Sequence, residues 1–191
     1  MSTAKNSRRI FLKSVAAGVS VAGESLTAHA AMPDVLPSER ESVQHNKAAL
    51  WLLIQDAMPK GQLEVVRGLV SPECVNRRAG FANLYAARND AIPEKGNFIQ
   101  WLEAGWKPLS EALGDQHVVV NDLAGEGNTA WAHYRMEVKH RGTFVGVPAT
   151  GKTVEWEEIA IAHFGPDGKI VDLWFMCEEV KLATQLGLRL I

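Results

Sequence analysis

Few residues of this chain are placed to do chemistry, and most candidates fail on context. Gly146-Val147-Pro148-Ala149-Thr150-Gly151-Lys152-Thr153 matches a phosphate-binding loop letter for letter. Such a loop needs a strand before it and a helix after it, so that backbone donors and a helix N-terminus converge on the phosphates. Here Val154 to Ala162 reads as a strand, and Pro148 deletes a donor from the cradle, so nucleotide binding is not expected. His133 and His140 are seven apart on one expected strand, an odd separation that sends them to opposite faces, and neither belongs to a ligand pair. No metal and no cofactor are expected. Nor is there a nucleophile elbow, or a histidine paired in sequence with a serine or cysteine nucleophile.

One carboxylate stands apart. If Gly165-Pro166-Asp167-Gly168 turns between two strands, Trp156, Glu158, Ala160, Ala162 and Phe164 share a face with Val171, Leu173, Phe175 and Cys177. That face is apolar except for Glu158. The opposite face, with Glu155, Glu157, Ile159, Ile161 and His163 beside Ile170, Asp172, Trp174, Met176 and Glu178, is mixed, as a solvent or subunit-contact surface is. A buried, unpaired Glu158 would have a raised pKa and serve as a general acid or base near neutrality. Two alternatives stay open: a bulge that swaps Glu157 for Glu158, or an ion pair with Arg135 or Arg141. Core packing accounts for most of the six tryptophans, and side chains of this kind also suit a pocket for a hydrophobic, ring-containing ligand.

The elements that must hold these residues follow from periodicity. Residues 31–37 read as a linker. Ser38 with Glu41 forms a capping box, and Val43, Leu50, Trp51, Ile54 and Met58 recur at helical spacing until Pro59 and Gly61. A shorter helix covers about 63–69. The stretch 76–96 is expected to be a loop with one helical turn near 82–88, of the kind that forms a lid. Phe98, Trp101, Leu102, Gly105, Leu109, Ala112 and Leu113 mark a further helix that Pro108 should kink or restart. Strands are expected at about 117–123, 128–140, 152–164 and 169–178, then a helical piece over 179–186. Helices followed by an antiparallel meander give an α+β domain over 38–191.

The 191-residue chain is 47% hydrophobic with a formal charge of −2, the composition of a globular protein. Its first 30 residues hold four cations and one anion, leaving 16 cations against 21 anions, a balance that does not suit nucleic acid. Ser7-Arg8-Arg9-Ile10-Phe11-Leu12-Lys13, the weakly apolar stretch after it and Ala28-His29-Ala30 resemble a twin-arginine export signal with its cleavage site. The resemblance implies a signal peptide over 1–30, the twin-arginine export machinery as partner, and a periplasmic or secreted protein. A stable membrane anchor is not expected, the apolar stretch being shorter than the ~20 residues a span requires. Export after folding implies that Cys74 and Cys177 fold as thiols; whether they pair afterwards stays open.

Gly142-Thr143-Phe144-Val145-Gly146-Val147-Pro148-Ala149-Thr150-Gly151-Lys152, Asp167-Gly168-Lys169-Ile170-Val171-Asp172-Leu173-Trp174 and Gln185-Leu186-Gly187 resemble the SnoaL-like polyketide cyclase or ester cyclase family. The resemblance implies the nuclear transport factor 2-like fold, a curved antiparallel sheet packed on N-terminal helices as a conical barrel around an apolar pocket. It also implies cofactor-free ring closure by an aspartate and a histidine, whose positions here are Phe175 and Ala160. Glu158 is then the catalytic candidate, and Trp51, Trp156, Ala160, Phe164, Leu173 and Phe175 are the expected pocket wall. Two functions compete: cyclase, isomerase or lyase-type proton transfer on a small hydrophobic molecule, and non-catalytic binding of one. The apolar outer residues Ile159, Ile161, Ile170, Trp174 and Met176 suggest a homodimer.

Overall fold

The first long helix starts at Pro37, one residue ahead of the expected cap, because proline at a first helical position gives up only a donor that would be unpaired anyway. In the computed structural model, which describes residues 37–78 and 80–188, α1 spans Pro37–Leu52 and runs into a π-helical turn, Leu53–Ala57. The expected signal and the linker before Pro37 lie outside the described residues. The inward stripe of this helix is Asn46, Ala49, Leu50, Leu53, Ile54 and Ala57, all buried. Trp51 falls one position past that stripe and is 44% exposed, so it belongs to the surface.

The remaining elements are α2 (Leu63–Leu69), β1 (Val70–Asn76), α3 (Ala82–Ala87), β2 (Gly96–Asn97), α4 (Phe98–Ala112), β3 (Leu113–Glu126), β4 (Thr129–His140), β5 (Thr153–Phe164), β6 (Ile170–Cys177) and α5 (Glu179–Gln185). Helix α4 continues through Pro108, whose ring is exposed, and the Asn97 side chain caps it by accepting from the Gln100 amide at 3.0 Å. The six strands form one sheet in the order β2-β1-β6-β5-β4-β3. Two expectations are corrected by it. The sheet is mixed, because β1 lies parallel to β6, and it is open, with β2 and β3 as its edges. A barrel would need those edges to pair.

The β5–β6 hairpin also departs from simple alternation at its turn. A register shift between His163 and Phe164 sets Phe164 opposite Ile170, so Ile170 is fully buried and Val171 is 37% exposed, the reverse of the expected faces. One extra residue is enough to flip the pleat. Beyond the shift the expectation holds in register: Ala162 faces Leu173, Ala160 faces Phe175 and Glu158 faces Cys177.

Two buried clusters share the sheet's inner face. Ala130, Ala132, Ala160 and Ala162 make a low surface in the first cluster, where Leu50 and Leu53 are fully buried and α1 packs on β3 and β4. Each such leucine contributes about 2–3 kcal/mol of transfer free energy. The second cluster gathers Leu84, Leu113, Phe144, Val154, Trp156 and Leu182 beneath α3, α5 and the β4–β5 loop. Segment 76–96 is tied down on both sides. Arg78 Nη1 donates to the Phe175 carbonyl at 2.8 Å, Cys177 Sγ donates to the Gly80 carbonyl at 2.8 Å, and Glu179 accepts from the Asn83 and Leu84 amides.

Candidate functional site

Between the two clusters, where α1 no longer covers the sheet, lies a cavity of about 90 Å³. A single buried water needs only about 10–15 Å³, so the space admits more than solvent. Its roof is Trp101, Leu102, Gly105, Trp106 and Leu109 of α4, closed at one end by Met58 and Pro59. Trp106 is fixed there by donating its Nε1 proton to the Met58 carbonyl at 2.6 Å. Gly61, at φ +63°, lets the chain pass the Trp106 ring where any Cβ would collide with it. The floor is sheet: Leu113 and Gln116 of β3, Tyr134, Met136 and Val138 of β4, Trp156 and Glu158 of β5, and Phe175 of β6. Gly80 and Phe81 form a further wall.

Glu158 carries the only carboxylate in that lining. Strand alternation aims it inward, and the β4–β5 ladder runs in unbroken register from Thr129 opposite His163 to Lys139 opposite Thr153, so no bulge exchanges it with Glu157. Neither expected arginine reaches it: Arg135 pairs with Glu155 at 3.5 Å, and Arg141 pairs with Asp115. Its partners are neutral. Tyr134, directly opposite on β4, donates its hydroxyl to Oε2 at 2.5 Å, and Trp156, two residues back on the same face, donates Nε1–H to Oε1 at 2.5 Å. Both residues need a polar partner when buried, and the carboxylate supplies it to both.

Burial pushes the Glu158 carboxyl above the usual carboxylate range. The Tyr134 and Trp156 hydrogen bonds and the charge of Arg78 oppose that rise, and Glu179 adds to it. Burial also drives the Tyr134 phenol well above its ordinary value, with the Glu158 charge as the second cause. Desolvation wins because each donor is neutral, and the guanidinium of Arg78 is engaged by Glu179 at 3.4 Å.

The expected site residues divide sharply. Glu158, Trp156 and Phe175 meet in the cavity lining. Ala160, Phe164 and Leu173 are buried in the first cluster, outside the lining, and Trp51 is on the surface. Of the six tryptophans, Trp101 and Trp106 join Trp156 in the lining, and Tyr134 and Gln116 belong to it with no expectation from sequence. Alternation of Ala130, Ala132, Tyr134, Met136 and Val138 was the legible sign that Tyr134 points inward. Cys74 and Cys177 are buried free thiols. Val75 lies opposite Asp172, five residues short of Cys177, and Cys74 is one residue further back on the parallel strand, so the two thiols are more than roughly 16 Å apart along β6, too far for a disulfide. Burial raises the Cys74 thiol to about 12 and the Cys177 thiol further.

The SnoaL-like polyketide cyclase family pattern matches residues 99–186. This stretch runs from α4 into the last turns of the chain and carries most of the cavity wall. No curated protein matches the sequence. Among solved structures, a candidate SnoaL-like polyketide cyclase from Jannaschia sp. CCS1 superposes with a TM-score of 0.65 at 18% identity, over 82% of this chain and 99% of that one. IdmH of Streptomyces antibioticus, described as a candidate polyketide cyclase, gives 0.61 at 25% identity over 75% and 99%. An LEH-like epoxide hydrolase of M. tuberculosis gives 0.55 at 10% identity over 76% and 91%. The fold is therefore the nuclear transport factor 2-like one, with α+β architecture and an open mixed sheet packed against helices.

Proposed function

We propose that this is an exported SnoaL-like protein whose cavity takes a small, hydrophobic, ring-containing compound, and that Glu158 moves a proton on it without a cofactor. The reading rests on one observation: the cavity's single carboxylate is buried, held by two neutral donors and raised toward neutrality, as a general acid or base requires. Cyclase, isomerase and lyase steps begin alike, with loss of a proton next to a carbonyl. In such a step a Glu158 oxygen takes the C–H proton and the electron pair moves onto the carbonyl oxygen as an enolate; reprotonation or attack on a second carbonyl follows.

The test is deuterium exchange from solvent into the carbon next to the carbonyl of an aryl β-keto ester, followed by proton NMR. Exchange above the buffer rate that falls about 10²-fold in Glu158→Gln supports the reading, this being the usual worth of a positioned base. Exchange unchanged in that variant ends it.

The second reading, a binding protein without chemistry, is favoured by the register pair Ala160–Phe175. The resemblance sets the family's histidine and aspartate at these two positions, and both side chains here are apolar. Ligand binding with no exchange on any keto ester would decide for it. Export by the twin-arginine machinery and assembly with a second copy belong to the same proposal. Among the described residues no helix is long and apolar enough to cross a membrane.

A further inference from the structure

The cavity's polar groups do not all sit at Glu158. Gln116 enters it from β3, and a fault in the strand is what turns it inward. Leu113 is buried on the inner face, and so is Val118, five residues on, which simple alternation forbids. The parity changes at a bulge: Gly114 faces Lys139 and His117 faces Glu137, so three steps on β3 match two on β4. Asp115 absorbs the extra residue at φ +52°, a conformation that costs a non-glycine residue stability and persists only where the surroundings hold it. Arg141 holds it, by pairing with the Asp115 carboxylate and packing against Gly114, where a Cβ would lie 2.9 Å from the Arg141 side chain. Within the cavity Gln116 donates to the Leu113 carbonyl at 3.2 Å. Among the described residues nothing else bonds it, which leaves its carbonyl oxygen and one N–H free.

We infer that Gln116 is the second polar anchor of the cavity, and that the ligand is an uncharged, elongated, mostly apolar molecule with a hydrogen-bonding oxygen at each end. This deepens the reading of the cavity as a ligand site and rests on it. Charge neutrality follows from the lining, which has no cation and one carboxylate. Length follows from the register. Glu158 faces Tyr134, and Gln116 lies beside Val138, two same-face rows along β4. That is roughly 13 Å along the strands and about 10 Å across them between backbones. Both side chains rise from the same face of the sheet, so a ligand that reaches both must be elongated, as a fused two-ring molecule with an oxygen at each end is. The material between the poles, Trp156, Met136 and the α4 tryptophans, offers flat apolar contact only.

Three probes test this: naphthalene, a naphthol with one hydroxyl, and a naphthalenediol with hydroxyls at opposite ends, each titrated against tryptophan fluorescence. In the parent protein the diol is expected to bind about tenfold more tightly than the naphthol, one hydrogen bond's worth to an otherwise unpaired group. In Gln116→Leu that ratio should fall to about twofold or less while naphthalene binding is kept. Gln116→Asn, which keeps a shortened amide, should restore part of the ratio. A diol preference unchanged in Gln116→Leu overturns the anchor and leaves the cavity reading standing. If no probe binds the parent, or if filling the cavity by Gly105→Leu leaves binding unchanged, the cavity reading fails and the anchor fails with it.

Discussion

Tyr134 and Glu158 are directly opposed in the β4–β5 ladder, and the phenol donates to the carboxylate at 2.5 Å inside the apolar cavity. The pair turns a carboxyl stranded by burial into one with a defined position, one oxygen on Tyr134 and the other on Trp156. Indole N–H can only donate, whereas a phenol can donate or accept. A neutral amide in place of Glu158 can therefore be satisfied, its oxygen on Trp156 and its NH₂ on a reversed Tyr134.

Glu158→Gln is accordingly expected to fold, and its stability should depart from that of the parent with a definite sign. Because the folded carboxyl is raised, the folded state keeps a proton that the unfolded chain releases near its ordinary value of about 4.3. The stabilisation is complete below that value and is lost as pH rises through the raised one. The variant's melting temperature minus the parent's should therefore increase as pH rises above the unfolded value of about 4.3 and level off once the raised carboxyl has ionised. Glu155→Gln, on the outer face, is the control. A difference that is flat or declining with pH would contradict the raised carboxyl.

Tyr134→Phe removes one donor and leaves Oε2 bare in a buried site. The expected cost is about 1.5–3 kcal/mol, read from urea unfolding at neutral pH, because the lost bond is to an ionisable group. The Glu158 carboxyl should titrate still higher, which carbon NMR of labelled glutamate follows. An unchanged titration would show that the hydroxyl does not hold the carboxylate.

Export is tested on the precursor. Changing Arg8 and Arg9 together to lysine should leave it in the cytoplasm, while the parent protein appears beyond the inner membrane with Ala31 as its first residue. Fractionation with N-terminal sequencing distinguishes the two. Unimpaired export of the double variant removes the twin-arginine assignment.

Assembly is tested on the mature protein. Trp131, Ile161 and Trp174 form one row across the outer face of three strands, and His133, Ile159 and Met176 form the next. Ile159 is 41% exposed and Met176 is 45% exposed. A surface of this kind suits an isologous contact, so light scattering should give about twice the chain mass. Ile159→Lys should restore the monomer. A parent protein that is already monomeric rejects the contact.

Alternation is local, and for that reason the sequence determined that Glu158 shares an apolar face with Trp156, Phe175 and Cys177, and that a turn at Gly165–Gly168 joins the two strands. Periodicity likewise carried the long helices and the β3–β6 run, but not β1 and β2, which lie among the helices. Which part of that face becomes a cavity was decided by tertiary packing. Ala160, Leu173 and Phe164 are sealed in the cluster that also holds Leu50 and Leu53, and the open space lies under α4. Parallel pairing of β1 with β6 was out of reach for the same reason, since the partner of a strand is chosen by long-range contacts and not by its own period. One-residue shifts did the rest. The slip at His163–Phe164 exchanged Ile170 for Val171, and the bulge at Asp115 turned Gln116 into the cavity. Each is one extra residue that changes which side chains share a face, and the Asp115 bulge is held in place by Arg141 packed against Gly114.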